Sequence, residues 1–187
     1  MKQTMKAIRY DLYRIRGRTD TVTLMKTFLT SRIFRRILYF RKYQETGKIG
    51  KILIKLLNHF LFQRMSVELP WSVKLGKGIL FLHPYNITLN SDCAIGENCT
   101  IMKGVTIGNT KGQNAGTPII GNNVYVGLNA TVVGNIRIGD DVLIAPNSFV
   151  NFDVPDGALV IGNPGIVHKK DKASDLYIVN SLEKFHV

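Results

Sequence analysis

Acidic residues are scarce in the first third of this 187-residue chain. Residues 1–64 hold 3 Asp or Glu against 16 Lys or Arg, whereas residues 65–187 hold 10 against 9. The net charge of +12 therefore lies wholly in the amino-terminal third, and the two parts do different work. Cysteine is also rare. Cys93 and Cys99 do not make a disulfide framework and lack the further ligands a metal would need, so they read as small buried hydrophobes. No apolar run approaches the roughly 18 residues that span a bilayer. Met1-Lys2-Gln3-Thr4-Met5-Lys6 lacks the apolar core of a secretory signal. These absences suit a reducing, cytoplasmic location. No nucleic-acid module accompanies the basic charge, which argues against a nucleic-acid partner.

What is present is a period of six. From Leu75 an aliphatic residue recurs at Phe81 and Ile87 and, after a two-residue adjustment, at Ile95, Ile101 and Ile107. It resumes at Ile120 and runs through Val126, Val132, Ile138, Ile144 and Val150, commonly with a small residue next in line. Six matches neither a helix nor an alternating strand. It fits a parallel β-helix of hexapeptide repeats, in which three short strands form a triangular coil and coils stack at the ~4.8 Å spacing of paired strands. Each aliphatic residue then points into the prism, and the small residue after it sits at a corner.

Three segments follow from this register. Residues 67–170 form the β-helix, interrupted over residues 108–119 by a Gly-, Asn- and Pro-rich excursion loop. Residues 1–66 read as α-helical, with Asp20 or Thr21 capping one segment from Leu24 through Phe40. A second segment, Ile49 to Phe62, gathers Ile52, Leu53, Leu56, Leu57, Phe60 and Leu61 on one face, with Lys48, Lys51 and Lys55 off it. Basic amphipathic helices suit an anionic membrane surface or a partner; packing on the end of the β-helix is the alternative. Residues 171–187 form a polar tail in which Ser174 to Phe185 fit a short amphipathic helix.

Of four histidines, His59 lies in the basic helices, His168 just past the last coil and His186 in the tail. Only His83, in Phe81-Leu82-His83-Pro84-Tyr85-Asn86, lies within the coils, two residues after an inward position, where its ring projects outward. Glu68 lies about one coil earlier, within reach of that ring. On the residues alone, His83 is either a surface histidine or a base.

Residues from Val67 to about Lys170 resemble the serine acetyltransferase branch of the hexapeptide transferases. The resemblance rests on Gly76-Lys77-Gly78-Ile79 followed by His83, on Ile95-Gly96-Glu97-Asn98 and on Gly104-Val105-Thr106-Ile107-Gly108. It continues through Gly134-Asn135-Ile136-Arg137-Ile138-Gly139 and closes on Asp153-Val154-Pro155 with Gly162-Asn163-Pro164. It implies a left-handed β-helix, a homotrimer with sites between subunits, and acetyl-CoA as acyl donor without a metal. His83 is the implied general base, oriented by Glu68, where Asp is usual. Gly127 and Ala145 are the implied corner contacts of CoA, and the Gly127 N–H the implied oxyanion donor. Asn163 lies in the closing turn. With Ile166 where Arg is usual, contacts to the CoA phosphates pass to Lys169 or Lys170.

The departures concern the acceptor. Leu82 stands where serine acetyltransferases carry Asp, and Gly116-Thr117 stand where they carry Arg-His. A site without those groups should bind zwitterionic serine poorly. The expectation is therefore acetylation of a sugar or glycan hydroxyl, as in the related transferases of capsule, exopolysaccharide or lipopolysaccharide assembly. Trp71, Tyr85, Asn86 and Asn109 are the candidate sugar contacts. Serine acetylation and a silent trimeric scaffold are the alternatives.

Overall fold

The computed structural model describes residues 2–62, 66–112 and 114–184; Gln113 of the excursion loop, Phe185 and His186 lie outside the described residues. Chains with aliphatic residues six apart bury them all only by turning a corner between successive residues of the set, and this chain does so in three parallel sheets. The first sheet stacks β1 (Val67–Glu68), β4 (Ile87–Leu89), β7 (Thr106–Gly108), β10 (Thr131–Val133) and β13 (Phe149–Val150). The second stacks β2 (Lys74–Leu75), β5 (Ala94–Ile95), β8 (Ile119–Ile120) and β11 (Arg137–Ile138). The third stacks β3 (Leu80–Leu82), β6 (Thr100–Met102), β9 (Tyr125–Val126), β12 (Leu143–Ile144) and β14 (Leu159–Ile161), and ends on β15 (Ile166–His168), the one antiparallel strand among them.

The core is three ladders of inward side chains. One holds Leu75, Ile95, Ile120 and Ile138. Another holds Phe81, Ile101, Val126, Ile144 and Val160. In the third, Leu89 stacks on Ile107, Val132 and Val150. Each such residue contributes roughly 1.5–3 kcal/mol by leaving water. The third ladder corrects the sequence reading, which gave Ile87 the place of Leu89 and set the register adjustment after it. Ile87 pairs instead with Val67, and the adjustment falls between Phe81 and Leu89. Both residues are buried, so hydropathy does not distinguish them.

Four helices precede the coils: α1 (Lys2–Arg16), α2 (Thr21–Thr30), α3 (Arg32–Glu45) and α4 (Lys48–Phe62). Asp20 caps α2 by accepting from Thr23 N at 2.9 Å. The single segment expected through Phe40 is broken at Ser31, whose hydroxyl accepts from Phe34 N and starts α3 afresh. Local side-chain capping of this kind competes with helix continuation.

Buried charge fastens α1 and α3 to the first coil. Asp11 accepts from Arg41 and from the Gly78 and Ile79 amides, while Arg41 donates to Leu75 O and Gly76 O at 2.7 and 2.6 Å. Arg14 donates to Gly78 O, Thr100 Oγ1 and Val179 O. Arg36 donates to Leu69 O, and burial brings it, like Arg14, down to about 10, so both stay charged at neutral pH.

The tail does not form the expected amphipathic helix. It makes two 3-10 turns, Asp175–Tyr177 and Leu182–Lys184, separated by Asn180 at φ 49°. Local helix yields to docking here. Ser174 is buried with its hydroxyl on Asn123 O, Tyr177 meets the Tyr125 ring, and Asn180 donates to Arg14 O.

Candidate active site

The relocated adjustment lies at His83. Leu82 pairs with Met102 and Thr88 with Thr106, so residues 83–87 make the corner that residues 103–105 make one coil later. The extra length pushes His83-Pro84-Tyr85-Asn86 out of the prism. His83 and Asn86 both take φ 52°, a left-handed conformation uncommon outside glycine and tolerated best by Asn, Asp and His. His83, Tyr85 and Asn86 are exposed, and Tyr85 O accepts from Gly104 N at 2.9 Å, which pins the corner to the coil above.

Strand register aligns this corner with the positions expected to meet CoA. Leu82, Met102, Gly127, Ala145 and Ile161 occupy equivalent places in successive coils. Gly127 must lack a side chain, because a Cβ there would stand 2.7 Å from Pro146 N and 2.8 Å from Ile144 O. Its N–H donates to Ile144 O at 2.8 Å as part of the inter-coil ladder, which corrects its expected role as oxyanion donor. Asn163 is exposed in the turn between β14 and β15, next along the same edge. Lys169 and Lys170 follow β15, whose antiparallel register sets His168 beside Leu159, so the pair lies at the far end of β14 from Asn163. One neighbour was missed in the sequence: Lys103, exposed, aligns with His83 one coil on. Its signal was the corrected register.

Other expected partners are distributed differently. Glu68 is exposed on β1 and pairs with Thr88 at the foot of an outward column continuing to Thr106 and Thr131. Among the described residues no hydrogen bond or ion pair joins it to His83. Trp71 is engaged by α3: Arg36 sits 4.2 Å from its ring centre, Tyr43 at 4.5 Å and Phe40 at 6.3 Å. Its ring anchors a helix, which corrects its expectation as a sugar contact. Asn109 is exposed at the start of the excursion loop, beyond the carboxyl end of the first sheet, whereas His83 precedes the amino end. A three-residue strand and its flanks, roughly 10 Å or more, separate them within one chain. Within one subunit Asn109 therefore does not face His83.

The loop itself is built. Thr110 bridges to Gly116, Thr110 Oγ1 donates to Asn114 O, and Asn135 N donates to Asn114 O at 3.1 Å. Gly116, at φ 142°, passes so close to Asn135 that a Cβ would lie 2.8 Å from it. The loop thus lies along the corner after β10.

Residues 117–151 match the model of the bacterial transferase hexapeptide (six repeats). Serine acetyltransferase of Synechococcus elongatus is 38% identical over 118 residues, 62% of this chain and 48% of that protein. Soybean serine acetyltransferase complexed with serine superimposes with a TM-score of 0.74 at 28% identity, covering 90% of this chain and 70% of that one. Over its coils the chain is thus similar to hexapeptide-repeat acetyltransferases of the serine acetyltransferase branch. A serine acetyltransferase in complex with CoA superimposes with a TM-score of 0.72 at 26% identity, covering 89% of this chain and 70% of that one. The left-handed parallel β-helix expected for this branch is thus the fold found. The chain spans about half the length of the first curated serine acetyltransferases it matches, at 48% and 50%.

Proposed function

We propose that this chain is an acetyl-CoA-dependent O-acetyltransferase with His83 as general base. The observation that carries the reading is the extended left-handed corner that presents His83 beside the edge of Gly127, Ala145 and Asn163. His83 takes the proton of an acceptor hydroxyl as its oxygen attacks the thioester carbonyl. The tetrahedral centre collapses to an ester, the C–S bond breaks, and the imidazolium returns the proton to the CoA thiolate. General-base help of this kind is worth ~10²–10⁴-fold. Glu68 is assigned to orient the imidazole once substrates are bound, since such contacts commonly tighten only then. Asn163 is assigned to the CoA edge, Lys169 or Lys170, at the far end of β14, to the more distant CoA phosphates, and Tyr85 and Asn86 to the acceptor.

Free serine is the acceptor that the relatives support, since those reported above are serine acetyltransferases. That choice replaces the sugar acceptor and polysaccharide role expected from the sequence. The sugar reading keeps one specific support: Leu82 and Gly116-Thr117 leave no charged side chain at the positions where serine's ends are held. Assembly is read as a homotrimer. The separation of Asn109 from His83 within one subunit supports sites in which the loop of one copy faces the corner of the next.

The test is thiol release from acetyl-CoA with serine, sugars, nucleotide sugars and glycan fragments as acceptors. Release with serine, lost in His83→Ala, is the expected result. Release with a sugar alone would transfer the reading to the second acceptor. No release and no CoA binding would overturn both and leave a scaffold.

A further inference from the structure

Helix α4 faces the wrong way for a helix that packs on its own protein. Its apolar residues Ile49, Ile52, Leu53, Leu56, Leu57 and Phe60 are all exposed, Ile49 at 78% and Phe60 at 74%. The opposite side meets α3. Phe62 packs edge-on against Tyr39 with ring centres 5.9 Å apart, Lys51 lies 5.2 Å from the centre of the Tyr43 ring, and the exposed Lys55, 5.7 Å from that ring, marks the border with the apolar stripe. A surface helix ordinarily buries its apolar stripe and shows water its charges. Here the stripe is the outer surface, and a contiguous apolar face of this size marks an interaction site.

We infer that α4 docks this protein on an anionic lipid surface, lying in the plane of the interface. Charge selects that occupant. Between Glu45 and Glu68 the chain carries Lys48, Lys51, Lys55 and Arg64 and no acidic residue. Lys48 and Lys55 are exposed beside the apolar stripe, where anionic headgroups would meet them. Two copies joined through this face would instead bring together two basic helices, neither holding an acidic residue, which like charge disfavours. Length gives the orientation. Fifteen helical residues are shorter than the roughly 20 a span needs, and no described helix is long and apolar enough to cross a membrane. Lateral insertion of the stripe, with lysines at headgroup level, is the geometry left.

The test uses the full chain and vesicles of phosphatidylcholine with about one-third phosphatidylglycerol, against pure phosphatidylcholine. The protein should sediment with the anionic vesicles and be released as salt rises. Leu53→Glu with Leu56→Glu should lower the vesicle-bound fraction at least about tenfold. Lys48→Gln with Lys55→Gln, which leaves the apolar stripe intact, should remove most of the anionic preference, about fivefold per lysine. Circular dichroism and sedimentation mass should match the parent in both. Failure of the parent to bind anionic vesicles, or equal binding to neutral ones, would overturn the inference. So would a fall in assembly mass in the Leu53/Leu56 variant, which would assign the face to another copy. Vesicle binding needs no acetyl-CoA, so its outcome is independent of the acetyltransferase reading.

Discussion

Asp11 and Arg41 form a two-pronged ion pair, Nε to Oδ2 at 2.9 Å and Nη2 to Oδ1 at 3.1 Å, sealed between α1, α3 and the first coil. Removing one partner strands the other without water. Asp11→Ala should cost about 3–5 kcal/mol, read as a lower denaturation midpoint in urea. Asp11→Leu combined with Arg41→Met should recover only part of this, because Gly78 N and Ile79 N also lose their acceptor.

His83 lies outside the core, so its loss should separate activity from folding. His83→Ala should lower acetyl transfer by about 10²–10⁴-fold with only a small fall in thermal midpoint, from Ala in a left-handed corner. His83→Asn is the stricter control, since Asn accepts the φ of 52° that the corner requires. Equal activity in His83→Asn and the parent would sink the base assignment.

Gly127 sits where backbone leaves no room. Gly127→Ala should destabilise the protein by about 1–3 kcal/mol through overpacking against Pro146 and Ile144. Thermal melting with and without acetyl-CoA checks this, and the loss should already be present without ligand.

Both thiols should be inert in the folded protein. Burial pushes Cys93 and Cys99 up to about 12, and Cys99 also points its sulfur at Gly121 O. Iodoacetamide at about pH 8, below the ordinary thiol range of about 8.5, should label neither until denaturant is added. The same shift has a sign for stability. Unfolded thiols ionise first as pH rises, so their contribution is complete below the unfolded value and is lost progressively as pH climbs towards 12. Alkaline titration of the denaturation midpoint above about pH 8.5 should show that decline.

The β-helix was legible because its inward residues repeat and its corners favour small ones. The position of the register adjustment was not, since Ile87 and Leu89 are both aliphatic and both buried. Only strand pairing reveals which one joins the ladder, and with it that His83 occupies the lengthened corner. Trp71 misled for a similar reason: an aromatic near a candidate base reads as a ligand platform until α3 is seen against it. The amphipathic pattern of α4 was plain, but periodicity defines a face without saying which way it turns. That direction is decided by α3, through Tyr39 and Tyr43.

Asp11, Arg14, Arg36 and Arg41 all spend their polar atoms on backbone groups of the first coil, from Leu69 O to Ile79 N. A stack of parallel strands is by nature a template for its own extension, because its terminal rung offers the hydrogen bonds the next rung would need. Here that rung is claimed by side chains, and in the third sheet the last parallel strand is covered by the reversed strand Ile166–His168. The charged helices thus also act as a stopper, keeping a repeating architecture finite and preventing end-to-end growth into fibres.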